Sequence, residues 1–231
     1  MRAKEVIAAF FLVFLTAVPS FSQAVSSRQA QVKRRSRLAQ QYLSERRPDL
    51  AIPELKVVVA LDPQNLDARA NLGVLLFFRG EYVDAAPQLR AALKLQPSLW
   101  KIQALLGMSE ERLGQQTEGR QDLEDAFPHL QEEKIEMDVG QALIDSYTST
   151  GDLPEAATAV SAMLKLKPTD PDLLYTAFRL YSDLTDEAIL TMAMTAPDSA
   201  QMHQMVARVL VRQGNFIGAL AGDAADPAWR R

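Results

Sequence analysis

Two eighteen-residue stretches constrain this chain more than any other feature. Gly80 to Pro97 reads GEYVDAAPQLRAALKLQP, and Gly151 to Pro168 reads GDLPEAATAVSAMLKLKP. Both hold glycine, three alanines, leucine, lysine, leucine and proline at the same eight places. They start 71 residues apart, two steps of about 34 with three residues more. One step back from Pro97 is Pro63, which closes RRPDLAIPELKVVVALDP and keeps Ala51, Leu55 and Leu61 in register. One step forward from Gly80 is Gly114, and Gly214 opens GNFIGALA near the C-terminus. A fixed period in this range marks a stack of small units, none of which buries its apolar face alone.

Each unit reads as two helices. In Leu66 to Pro97 the first carries Ala70, Leu72, Gly73, Leu75, Leu76 and Phe77 at helical spacing. Arg79-Gly80 is a stop signal, with glycine at the left-handed position. The second carries Tyr82, Ala85, Ala86, Leu89, Ala92, Leu93 and Leu95, and Gln96-Pro97 ends it. So short a connection forces the helices antiparallel. Gly73 and Ala85 predict close backbone approach, because larger side chains there would overpack.

These residues resemble the tetratricopeptide repeat (TPR). The likeness rests on Leu72-Gly73, Tyr82, Ala85, Ala92 and Pro97, on Trp100, Leu106 and Gly107 in the next unit, and on Tyr147, Ala156 and Pro168 after that. It implies an all-α fold: a right-handed α-solenoid of antiparallel helix pairs, the TPR-like superhelix. Six units are expected across residues 32–221, starting near Val32, Leu66, Trp100, Met137, Pro171 and Ala200. The third, fifth and sixth are degenerate: Gly119 replaces the usual alanine, SDLTDEAILTMAMTAP lacks a glycine turn, and the sixth dissolves into an irregular tail, 222–231. Val206, Leu210 and Val211 are expected to be partly uncovered at that end.

The resemblance also implies a concave groove, lined by the first helix of each unit, that binds a peptide or a partner helix. The groove candidates are Asn71, Val74, Phe77, Phe78, Lys101, Met108 and Arg112. The first unit adds Lys33, Ser36, Gln40 and Leu43, and later units add Ala70, Ala104, Gln141, Asp145, Thr148, Tyr175 and Arg179. One family mode clamps a peptide's terminal carboxylate. Asn71 and Lys101 fit its slots, but Ser36, Gln40 and Leu105 replace the other polar groups, so no clamp is expected. Phe77 and Phe78 point about 100° apart on a helix. Either one packs while the other enters the groove beside Val74 and Met108, or both are core.

Chemistry is sparse. The 231 residues include no cysteine, which removes disulfides, thiol nucleophiles and thiolate metal sites. His129 and His203, far apart in sequence, are expected as a loop and a helix-surface histidine, with no metal site. Glu110, Glu111, Glu132 and Glu133 read as solvated helix faces. There is no phosphate loop and no nucleophile elbow. The repeats fill the chain, so no enzyme activity and no cofactor are expected. A net charge of −4 argues against nucleic acid as partner.

The N-terminus predicts export. Arg2 and Lys4 precede the apolar run Val6 to Val18, and small residues follow at Ser20, Ser22 and Ala24. Residues 1–24 are expected as a signal peptide, cut after Ser22 or Ala24, with 25–31 a linker. The alternative is an uncleaved N-terminal membrane anchor. A periplasmic or extracellular place follows. From Arg28 to Arg47 there are seven basic residues and one acid, a block suited to anionic lipid or an acidic partner, or simply solvated. The expected function is a protein–protein interaction module. The alternatives are a structural repeat protein that forms a homo-oligomer through its uncapped C-terminal end, or the remnant of a longer array.

Overall fold

The structure is a computed structural model that describes residues 18–212, with side chains from residue 25. The start of the expected signal peptide, to residue 17, and everything after Arg212 lie outside the described residues. Every element described is helical: α1 (Val18–Ser44), α2 (Pro48–Leu61), α3 (Leu66–Phe78), α4 (Tyr82–Leu95), α5 (Trp100–Arg112), α6 (Gln116–Ala126), a 3-10 turn (Phe127–His129), α7 (Glu133–Thr150), α8 (Leu153–Leu166), α9 (Pro171–Thr195) and α10 (Ala200–Arg212). The fold class is all-α, an α-solenoid of antiparallel helix pairs. The chain divides into two compact units, Met1–Val139 and Gly140–Arg231.

The first helices of the pairs end by the same device. Gly80, Gly114 and Gly151 take left-handed φ values of 75°, 77° and 81°. At each, the glycine N–H and the next N–H turn back on the last helical carbonyls: Gly80 to Phe77 and Glu81 to Leu76, Gly114 to Glu111 and Gln115 to Glu110, Gly151 to Thr148 and Asp152 to Tyr147. This Schellman pattern satisfies carbonyls that the helix end leaves open. The first pair keeps the pattern without glycine. Arg46 stands one period before Gly80, at φ 56°, with Arg46 N–H on Leu43 and Arg47 N–H on Tyr42. A left-handed residue with a Cβ is strained by about 1–2 kcal/mol, and glycine returns part of that as unfolded-chain entropy. Arg46→Gly is therefore expected to stabilise the chain by about 0.5–1 kcal/mol, read as a raised urea midpoint.

In the first unit, a continuous core runs through Leu55, Val58, Leu72, Leu76, Leu89, Ile102, Leu105 and Leu106. Asn65 caps α3 by accepting the Ala68 N–H at 3.0 Å. Losing that cap in Asn65→Ala is expected to cost about 1 kcal/mol of unfolding free energy by chemical denaturation. The α3–α4 approach needs Gly73, whose missing Cβ would sit 2.7 Å from the Leu89 side chain. In the α5–α6 pair both partners are glycine: a Cβ on Gly107 would meet the Gly119 carbonyl oxygen at 2.7 Å. An alanine at residue 119 would not fit, because its Cβ would meet backbone, the Gly107 carbonyl oxygen at 2.8 Å and the Glu111 nitrogen at 2.9 Å, where Gly73 faces a side chain.

Some expectations are corrected. Residues 25–31 are not a linker but part of α1, which is 27 residues long. No helix breaker interrupts them, and the helix runs past the end of α2. There the Arg28 Nε donates to the Leu61 carbonyl at 2.6 Å. The fifth unit is not a pair. Pro171–Thr195 is one uninterrupted helix, because no glycine supplies a left-handed break within it. The fourth unit starts at Glu133, earlier than Met137. Among the described residues, no helix is long and apolar enough to cross a membrane.

Candidate functional site: a cavity between the first helices of two repeats

A cavity of about 670 Å³ lies in the first unit between α1 and α3. Its α1 wall carries Lys33, Ser36, Gln40 and Leu43, and its α3 wall ends in Asn71. Leu55, Ala39 and Ala68 form an apolar floor. The charges are divided. Arg28, Lys33 and Arg37 stand on the α1 side, Asp62 and Asp67 on the other. Asp62 is engaged, accepting from Gln64 N–H and Asn65 Nδ2. An apolar floor with polar side chains on both rims is how ligand sites combine affinity with orientation.

A second cavity of about 480 Å³ lies between α3 and the start of α5. Ala70 and Lys101 line it, beneath a stacked pair: the Trp100 and His129 rings lie 4.0 Å apart at 18°. His129 is thus an exposed loop histidine with a specific partner. Lys101 is ion-paired with Glu132.

The first helices bring Lys33, Ser36, Gln40, Leu43 and Asn71 together, and set Lys101 in the second cavity. Val74, Phe77, Phe78, Met108 and Arg112 line neither cavity. Val74, Phe77 and Met108 pack against the core, and Ala104 is buried. Phe77 packs edge-on against Tyr82, with ring centroids 5.6 Å apart. Phe78 is 74 % exposed, so the two rings are not both core. Sequence reasoning missed Arg28, Gln29 and Asn65 in the main cavity, and the Trp100–His129 stack. The first group follows from the continuation of α1, and no pattern of spacing announces a stack between a helix start and a loop.

Glu110 overturns the expectation of a solvated face. It is 2 % exposed in α5, with Oε1 accepting from Arg90 of α4 at 2.6 Å and Oε2 buried without a partner. Burial raises its pKa above the usual range, and the nearby Asp122 charge adds to that against the lowering by Arg90. Asp122 of α6 is also raised by burial, although Gln103 donates to it at 3.2 Å. His203 is half-buried rather than on the surface, with its Nδ1 enclosed and unpartnered. No cluster of three or more metal-ligating groups occurs among the described residues.

A tetratricopeptide repeat family model matches residues 42–107, from the end of α1 to the middle of α5. Solved structures extend the likeness across the chain. A structure of the MamA protein aligns at a TM-score of 0.59 with 20 % identity, over 69 % of this chain and 86 % of its own. YrrB, a TPR protein with an unusual peptide-binding site, aligns at 0.58 with 17 % identity, over 88 % and 97 %. The fold is that of the tetratricopeptide repeat proteins. The pilF protein of Pseudomonas aeruginosa aligns at a TM-score of 0.52 with 17 % identity, over 85 % of this chain and 90 % of its own. No curated protein sequence matches significantly. In TPR terms, α1, α3 and α5 are the first helices of successive repeats, and the main cavity lies between two of them.

Proposed function

We propose that this chain is a non-enzymatic interaction module, acting outside the cytoplasm, that holds an extended peptide or a partner helix in the cavity between α1 and α3. The cavity carries the reading: five residues picked from the sequence as groove-facing converge there over an apolar floor. A TPR protein similar in fold is described as having a peptide-binding site. Export rests on the N-terminal pattern of basic start, apolar run and small residues. Binding is stoichiometric, with affinity from Leu43 and the apolar floor and orientation from Asn71, Gln40 and the flanking cations.

The test is selection of peptides from a displayed library on the full chain, followed by titration. Ser36→Trp fills the cavity. It is expected to weaken the selected peptides at least about tenfold, or 1.4 kcal/mol, with an unchanged circular dichroism spectrum. Unchanged affinity would place binding elsewhere.

A second reading, self-association, is favoured by α9. Leu174, Tyr175, Phe178 and Tyr181 are all exposed along it, an apolar patch of the kind that marks contact surfaces. It differs from the expected C-terminal end, whose residues beyond Arg212 lie outside the description. Of the residues expected to be uncovered there, Val206 and Val211 are exposed and Leu210 is half-buried. A mass that rises with concentration and falls in Phe178→Glu would select this reading.

A further inference from the structure

We propose that the exposed face of α1 is a docking surface for an anionic phospholipid membrane. The helix holds five basic residues and no acid, in a chain whose net charge is −4. The structure sorts those five by face. Arg28 and Arg35 point to the protein: Arg28 holds the Leu61 carbonyl, and Arg35 Nη1 holds both Glu54 oxygens at 2.8 and 2.9 Å. Lys33, Arg34 and Arg37 are exposed and form no ion pair among the described residues. At 100° per residue these three fall within an arc of about 100°, opposite Arg28 and Arg35. Lys33 and Arg37 also edge the main cavity, while Arg34 faces away from it. Arg46 and Arg47 follow as exposed cations at the end of the helix.

The composition of the stripe selects the partner. Its other members are Ser26, Ala30, Gln41 and Ser44, all exposed. A protein interface draws its energy from aromatic and large apolar anchors, and none is present here. A plane of anionic headgroups requires only accessible positive charge. The acidic remainder of the chain is repelled by the same surface, which orients α1 toward it. In the sequence, the apolar run from Val6 lies directly before the described part of α1.

The absence of cysteine makes the test direct. A nitroxide is attached to Ala30→Cys in the full chain, with Val83→Cys, exposed on α4, as control. Accessibility to a water-soluble relaxation agent is measured on vesicles of phosphatidylcholine, alone or with one-third phosphatidylglycerol. The expected result is protection at residue 30, absent at residue 83, only on the anionic vesicles, and reversed by high salt. Lys33→Gln/Arg34→Gln/Arg37→Gln is expected to lower partitioning on the order of 100-fold. The matching triple glutamate variant is expected to lower it further, with folding checked by circular dichroism. Equal protection on both vesicles, or none on either, overturns the proposal. So does an acidic protein or nucleic acid that protects residue 30 where anionic vesicles do not.

Discussion

Gly107→Ala is expected to destabilise this protein by about 2–3 kcal/mol, although alanine is the better helix former by about 1 kcal/mol. The added Cβ would lie 2.7 Å from the Gly119 carbonyl oxygen and 2.9 Å from Leu123 Cγ. The first neighbour is backbone and the second is fully buried, so α5 and α6 must move apart. Gly119→Ala should behave alike, because its Cβ meets the Gly107 carbonyl oxygen at 2.8 Å and the Glu111 nitrogen at 2.9 Å. The control is Gly140→Ala. Its Cβ faces Met163 at 2.6 Å from Sδ and 2.7 Å from Cγ, and a thioether side chain has rotamers to yield with. Its effect should stay within about 1 kcal/mol of zero. Urea unfolding of the three variants measures this. Equal losses at residues 107 and 140 would mean that the α5–α6 backbone contact is not the tight point of the stack.

Glu110→Leu is expected to stabilise the chain by about 1–3 kcal/mol near pH 8. One period earlier, the same place in α3 holds Leu76, 1 % exposed. Leucine would complete the apolar row and release the unpartnered Oε2. Arg90 is about half exposed and returns to solvent without loss. The pH dependence has a definite sign. Glu110 and Asp122 both titrate above their ordinary values in the folded chain, chiefly through burial. Their contribution to stability is therefore full below the ordinary carboxyl range and is lost as pH rises through the raised values. Denaturation midpoints at pH 4.5 and 8 should show a smaller gain from Glu110→Leu at the lower pH. A loss at pH 8 would make the Arg90–Glu110 pair net favourable.

The helix pairs were legible because their signals are local and repeated. Gly80, Gly114 and Gly151 mark left-handed turns that few other residues adopt, and Leu72 and Leu76 recur at the helical period. Arg46 hid the same turn, because a strained arginine carries no sequence signal. The continuous α9 was announced only by the absence of a glycine. Burial of Glu110 was not readable, since a charged residue at a core register passes for a solvated face until its Arg90 partner is placed. The lining of the α1–α3 cavity was partly legible. Choosing the first helix of each repeat picked Ser36, Gln40 and Asn71, which line it, but could not separate Phe77, turned to the core, from Phe78, turned to solvent.

Photo-crosslinking in the cells of origin tests the central claim most directly. A benzoylphenylalanine at residue 36 of the full chain probes the α1–α3 cavity, and the same group at residue 83 probes the exposed side of α4. The account predicts one protein adduct from residue 36, mapped by mass spectrometry to a short stretch of that partner, and none from residue 83. No adduct at residue 36, or the same adducts from both positions, would contradict it.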